Sequence, residues 1–288
     1  MKRALLFVAF LALAGCSSEP PEVGLVARMG GTCETEPAGS ARVLVKLSLQ
    51  GESVDDTRLA ELGQLERLRW IDIYDTAVTD ATLTRLSQCP ELEHLSIGGT
   101  KITDAGLNGL PKLKHLNQLF LGKTAIGDAG LEHLERLAGL RELDLFQTRI
   151  TDDGLKRLAG LTALERLNLN DTKITDAGIA HLAPLRRLRQ LHLVRTGVSD
   201  GALAIVQKAP LLEQLDLFGT AVTDDGIGRL SGLKRLRWLV LRETKVTAAG
   251  VAQLKNLPSL EELYVPGTIG EESLTRLRAA FPQAKVSH

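Results

Sequence analysis

The sequence predicts an α/β solenoid in which ten 24-residue strand–helix units stack into one curved parallel sheet, with the helices on its convex side. Three observations predict it. Threonines stand at Thr76, Thr100, Thr124, Thr148, Thr172, Thr196, Thr220, Thr244 and Thr268, and every interval is 24 residues. Counting from each Thr, Leu recurs at −8, Leu or Ile at −5 and an aliphatic at −3, an alternation that reads as a short half-buried strand. Val or Ile at +2 is then usually followed by Asp at +4, Gly at +6 and aliphatics at +7 and +10. That stretch opens with helix-capping side chains and spaces its aliphatics three apart, which makes one or two helical turns. No such unit can bury its own apolar stripe, so each must stack on the next and share a continuous core.

At the start of the chain, Lys2 and Arg3 precede an apolar run from Ala4 to Ala14. Eleven residues are too few for a membrane span, which needs about 20, and residues 1–15 read as a secretory signal. The run ends in Leu13-Ala14-Gly15-Cys16, which resembles the bacterial lipobox. The resemblance implies an exported lipoprotein, acylated on Cys16 and held on a membrane, with Ser17 pointing to the outer membrane and a periplasm-facing chain. The alternative is that Cys16 merely adjoins an ordinary cleavage site. Residues 16–42 are assigned to the lipidated N-terminus, a polar tether over 17–23 and an N-terminal cap. Without Lys2 and Arg3 the chain has 33 basic and 35 acidic residues, no electrostatic footprint for nucleic acid.

The repeats run from 43 to 281, with 282–288 as a C-terminal cap. Residues 44–62 carry the frame first, through Leu47, Leu49, Val54, Asp56, Leu59 and Leu62, with Glu52 in place of Thr. The frame resembles the leucine-rich repeat family, and its form, LxxLxLxxTxITDxGLxxL, is similar to the cysteine-containing subclass with Thr replacing Cys or Asn. Members of that subclass often carry an F-box and recruit ubiquitination substrates; no F-box-like segment precedes these repeats, so that role does not transfer. Pro90, Pro111, Pro184, Pro210 and Pro258 fall where each short helix must end. The recurring Thr hydroxyl is expected to satisfy backbone of the neighbouring loop. At −7 stand Arg69, Glu93, Asn117, Arg141, Glu165, Arg189, Glu213, Arg237 and Glu261, whose alternating signs would hold neighbouring repeats in register. Cys33 and Cys89 either form a disulfide, which export permits, or leave Cys89 as a buried thiol in a slot filled elsewhere by Leu.

The strand "LDLFQT" at 143–148 returns as "LDLFGT" at 215–220 and is foreshadowed by "IDIYDT" at 71–76, so a three-repeat unit of 72 residues was multiplied. With −5 and −3 inward, the −6, −4 and −2 columns line the concave face. They hold Trp70, Tyr74, Phe120, Phe146, Phe218, Trp238 and Tyr264, among the polar Asp72, His94, Asp144, Asn168, Asn170, His192, Asp216 and Arg242. Displayed aromatics with polar neighbours mark an interaction site; the bland reading is that large side chains shield a curved sheet. A protein or peptide ligand, a cell-wall glycan, and a structural envelope role without a ligand all remain open, for a chain expected to be a monomer. Catalysis, cofactors and metals are not expected. Asp72, Asp144 and Asp216 lie three strands apart, about 14 Å between neighbours, whereas paired catalytic carboxylates need about 5–9.5 Å. Asp72, His94 and Ser96 imitate a triad without a nucleophile elbow, and the "TDDG" stretches at 151 and 223 lack the alternating acids of a calcium loop.

Overall fold

The structure is a computed structural model, and it describes residues 20–38, 41–60, 65–254 and 257–288. Twelve strands form one sheet in sequence order. The first two, β1 (Thr32–Ala38) and β2 (Ala41–Ser48), are an antiparallel pair. From β2 onward every pairing is parallel, through β3 (Trp70–Asp72), β4 (His94–Ser96), β5 (Gln118–Phe120), β6 (Glu142–Asp144), β7 (Arg166–Asn168), β8 (Gln190–His192), β9 (Gln214–Asp216), β10 (Trp238–Val240), β11 (Glu262–Tyr264) and β12 (Lys285–Ser287). Each pairing from β2 to β11 is offset by 24 residues, as Trp70 opposite His94 shows, so the sequence period is the sheet register. The −5 and −3 side chains, such as Leu143 and Leu145, are buried, and so are the aliphatics at −8, +2, +7 and +10.

The helices are α1 (Pro21–Arg28), α2 (Asp56–Ala60), α3 (Asp80–Leu86), α4 (Asp128–Leu131), α5 (Asp152–Leu155), α6 (Asp176–Ala180), α7 (Asp200–Val206), α8 (Asp224–Ile227), α9 (Ala248–Val251) and α10 (Glu271–Ala280). Several run on into a 3-10 turn, and the repeat between α3 and α4 is 3-10 throughout, Asp104–Lys112. Pro111 therefore lies inside a helix and not at its end. It stands one residue before Lys112, the last of the run, and its missing amide costs the run one bond. Pro21 opens α1, so the polar segment at 17–23 is already helical by its last residues; Val26 joins the core.

The side-chain ladder that ties the repeats together is not the one expected. The recurring Thr hydroxyl donates to the carbonyl three residues back in its own turn, as from Thr148 to Leu145 O at 2.7 Å, and does so from Thr76 to Thr244. The bond is local because the turn folds that carbonyl directly beneath the hydroxyl; Thr268, in the last repeat, is exposed. The link between repeats is the Asp at +4. Asp128 accepts from Thr151 N at 2.7 Å and Thr151 Oγ1 at 2.6 Å, and Asp80, Asp152, Asp200 and Asp224 hold the next repeat's Thr in the same way. Those threonines at 151, 175, 223 and 247 cap the following helix through the amide two residues on. This is what Asp152 and Asp224 of the "TDDG" stretches do. Gly at +6 leaves room for the incoming carboxylate: a Cβ on Gly154 would stand 2.3 Å from Asp128 Oδ1.

In the −7 column Arg141, Glu165, Arg189 and Glu213 join in one run, and Arg237 meets Glu261 at 2.7 Å. Arg69 departs from the pattern and reaches Glu36 and Glu91 instead of Glu93. Cys33 and Cys89 do not pair with each other. Cys89 is a buried thiol whose pKa burial pushes up to about 11. Among the described residues no helix is long and apolar enough to cross a membrane, and Cys16 with the lipobox lies outside them.

Candidate functional site

The alternation that buries −5 and −3 turns −6, −4 and −2 to the other face of the sheet, and all the aromatics named above lie there. Their display is uneven. Trp70 and Tyr74 are exposed, at 37% and 36%, whereas Phe120, Phe146, Phe218, Trp238 and Tyr264 are half-buried. His94 is buried at 6% and does not belong to the displayed set. The cause is its register partner: Trp70 lies flat on the imidazole, with ring centroids 3.4 Å apart and planes 3° from parallel. Phe120 closes the other side at 5.1 Å. Burial holds the His94 pKa below its usual value, against the hydrogen bond that Gln118 Oε1 accepts from Nδ1 at 2.7 Å. Since Gln118, not Asp72, engages Nδ1, no Asp72–His94–Ser96 relay is assembled.

A second aromatic group stands at the far end. His192 is 6.1 Å from Trp238, and Trp238 meets Tyr264 edge-on at 6.0 Å. His192 Nδ1 lies 4.0 Å from Asp216 Oδ2. Phe146 stands between the groups and Phe218 in the repeat between His192 and Trp238, both in the −2 column.

Several polar residues expected on this face serve the fold. Asp144 Oδ1 accepts from Phe146 N at 2.8 Å, Asp216 Oδ1 from Phe218 N at 3.0 Å, and Asn168 Oδ1 from Asn170 N at 3.0 Å. Each closes a local turn through its own backbone. Asn170 Oδ1 reaches across to Val194 N at 2.7 Å. Burial raises the Asp144 pKa, more than the Phe146 amide and the Asn168 side chain lower it.

A leucine-rich repeat region model matches residues 26–287, most of the chain. The chain belongs to the leucine-rich repeat family. An internalin (inlF) from Listeria monocytogenes superposes with a TM-score of 0.64 at 22% identity, covering 92% of this chain and 87% of that one. An internalin C2 (inlC2) from the same organism gives 0.58 at 22% identity, covering 87% and 93%. At that identity the likeness is one of fold. No curated protein matches the chain.

The leucine-rich repeat face also contains residues that the sequence did not single out. Lys46 Nζ stands 5.2 Å over the Trp70 ring, Lys123 Nζ 5.9 Å over Phe146, and the Arg195 guanidinium 6.0 Å over Phe218. Arg242 stands 4.7 Å over Tyr264. Arg195 is held in a fork by both oxygens of Asp171, at 2.6 and 2.9 Å. Lys123, Asp171 and Arg195 sit at −1, where the turn takes a left-handed backbone with φ of 58°, 55° and 50°. Gly99 and Gly219 occupy the same position and are its one local signal; elsewhere the side chains hide it.

Proposed function

We propose that the chain is an exported, lipid-anchored recognition module that holds a protein or an extended peptide against the concave face of its sheet. The observation that carries this reading is that four of the aromatic rings already carry a cation on one face. Lys46, Lys123, Arg195 and Arg242 stand over Trp70, Phe146, Phe218 and Tyr264, and the second face of Trp70 lies on His94. A sugar stacks on an open ring face, and on these rings a cation already competes for one of the two. What the surface offers instead is ring edges, aliphatic stems and fixed cations, the composition of protein-binding hot spots. Exposed Tyr74 alone favours the glycan reading.

The anchor is inferred from Lys2, Arg3, the apolar run and Leu13-Ala14-Gly15-Cys16. Ser17 supports the outer membrane, and the chain hangs from its N-terminal end with the sheet face free. Pro37, Glu34 and Glu36 on the edge strand β1 oppose pairing with another sheet, which supports a monomer.

The test sets the full chain, purified in detergent, against displayed random decapeptides and against an array of bacterial glycans. Enrichment of peptides with no glycan signal supports the reading, and glycan binding without peptide enrichment overturns it. For the anchor, metabolic labelling with a fatty acid should mark the wild type and miss Cys16→Ala.

A further inference from the structure

Two charged side chains on the sheet face each hold an enclosed atom without a hydrogen-bond partner, and they lie near its opposite ends. The first is Asp72. It occupies the same place in the 72-residue echo as Asp144 and Asp216, which spend an oxygen on the amide two residues on. Asp72 Oδ1 is enclosed and accepts no hydrogen bond. The second is Arg242, whose Nε is enclosed and donates to nothing. Its guanidinium rests on Tyr264, whose ring meets Trp238. Other arginines on and beside the face are paired: Arg166 with Glu142, Arg189 with Glu213, Arg195 with Asp171 and Arg237 with Glu261. Among the described residues neither Asp72 nor Arg242 has an ion-pair partner. An enclosed polar atom without a partner is destabilising, and native chains avoid it. Both side chains are only half-buried, so a ligand can pair with their open ends though not with the enclosed atoms. Two such groups of opposite charge, each beside an aromatic group, point to that ligand.

The spacing sets the size of that ligand. Asp72 ends β3 and Arg242 follows β10, seven strands further along the sheet. At about 4.8 Å per strand the two charges stand about 34 Å apart. An extended chain of about ten residues spans that distance at roughly 3.3–3.6 Å per residue. Phe146 and Phe218 lie along the path between them and offer apolar contacts to the middle of the segment.

On the peptide reading above, we infer that the face takes an extended segment of about ten residues in one fixed direction. A cationic group of the segment, a Lys or Arg side chain or an amino terminus, sits against Asp72. A carboxylate sits against Arg242.

The test uses the full chain and displayed random decapeptides. Enriched sequences should carry a basic group at one end and a carboxylate at the other. Asp72→Asn should erase only the basic preference, and Arg242→Gln only the acidic one. A synthesised decapeptide from the selection should lose about tenfold in affinity with either variant. Thermal melts of both variants should match or exceed the wild type, since each change removes a charge that has no ion-pair partner among the described residues. The charge-reversed pair Asp72→Lys with Arg242→Glu should select peptides with the two ends exchanged. Enriched peptides lacking the two end charges, or preferences unchanged in the variants, overturn this inference while leaving the peptide reading standing. No peptide enrichment at all overturns both.

Discussion

Asp144 and Asn168 stand one repeat apart and make the same turn, each accepting the amide two residues on. The carboxylate differs in carrying a charge that burial opposes, which is why its pKa is raised. A raised folded-state pKa means the charged form is less favoured in the folded chain than in the unfolded one, so Asp144 stabilises less as pH rises through that pKa. Asp144→Asn keeps the turn and removes the charge. It should raise the thermal midpoint at neutral pH, and the gain should shrink as pH falls through the carboxylate range. A gain that grows on acidification would refute this account. The same scale separates Leu145 from Thr148. Leu145→Ala empties part of the continuous core and should cost about 2–5 kcal/mol. Thr148→Ala gives up a hydroxyl donating to a carbonyl that the Thr148 amide also reaches, at 3.3 Å, and should cost about 1 kcal/mol. Denaturant midpoints in the opposite order would mean that the inward face is misassigned.

From α3 to α9 each repeat's helix is too short to stand by itself and is set by the Asp before it. Asp128 holds Thr151, Thr151 caps α5, and Gly154 on α5 leaves the space that Asp128 fills. Gly154→Ala should destabilise, because its Cβ would stand 2.3 Å from Asp128 Oδ1. Asp128→Ala should destabilise as well, through the two lost hydrogen bonds. Combined, they should cost less than the sum of the two, because the alanine at 128 removes the carboxylate the new methyl would strike. A coupling of about 0.5–3 kcal/mol is the range for residues in contact. Strict additivity in the double-mutant cycle would show that the Asp–Gly spacing is not the device that joins repeats.

Among the described residues each strand and helix packs mainly on those of the adjoining repeats, so stability approximates a sum over neighbours. Phe281, the one aromatic away from the sheet face among the described residues, is buried at 1% at the end of α10 and closes the core at its C-terminal end. Phe281→Ala should cost about 3–5 kcal/mol, and hydrogen exchange should show where. Protection should fall at β11 and β12 while β5 to β8 keep theirs. Uniform loss along the sheet would mean that the solenoid unfolds as one unit. The exposed −7 ion pairs should matter little at this scale, at about 0–1 kcal/mol each; their effect is on register.

The period, the inward positions and the parallel order were legible in the sequence because each rests on a repeated local rule. Leu at −5 must face the core in every repeat if it does so in one, and the 24-residue interval passes unchanged into the strand register. The column of aromatics was legible for the same reason. What the repeats conceal is anything that depends on the neighbour across the sheet. His94 reads as a displayed polar residue, and only the pairing that lays Trp70 on it makes it a buried support. The cations at −1 come over the rings through a left-handed turn that non-Gly side chains do not announce. Asp72, Asp144 and Asp216 are identical in sequence, yet two close turns and one is left open. An interval in the chain determines which repeats touch, but a side chain's partner depends on what the adjoining repeats place within about 3 Å of it, and that is decided only when the strands are paired.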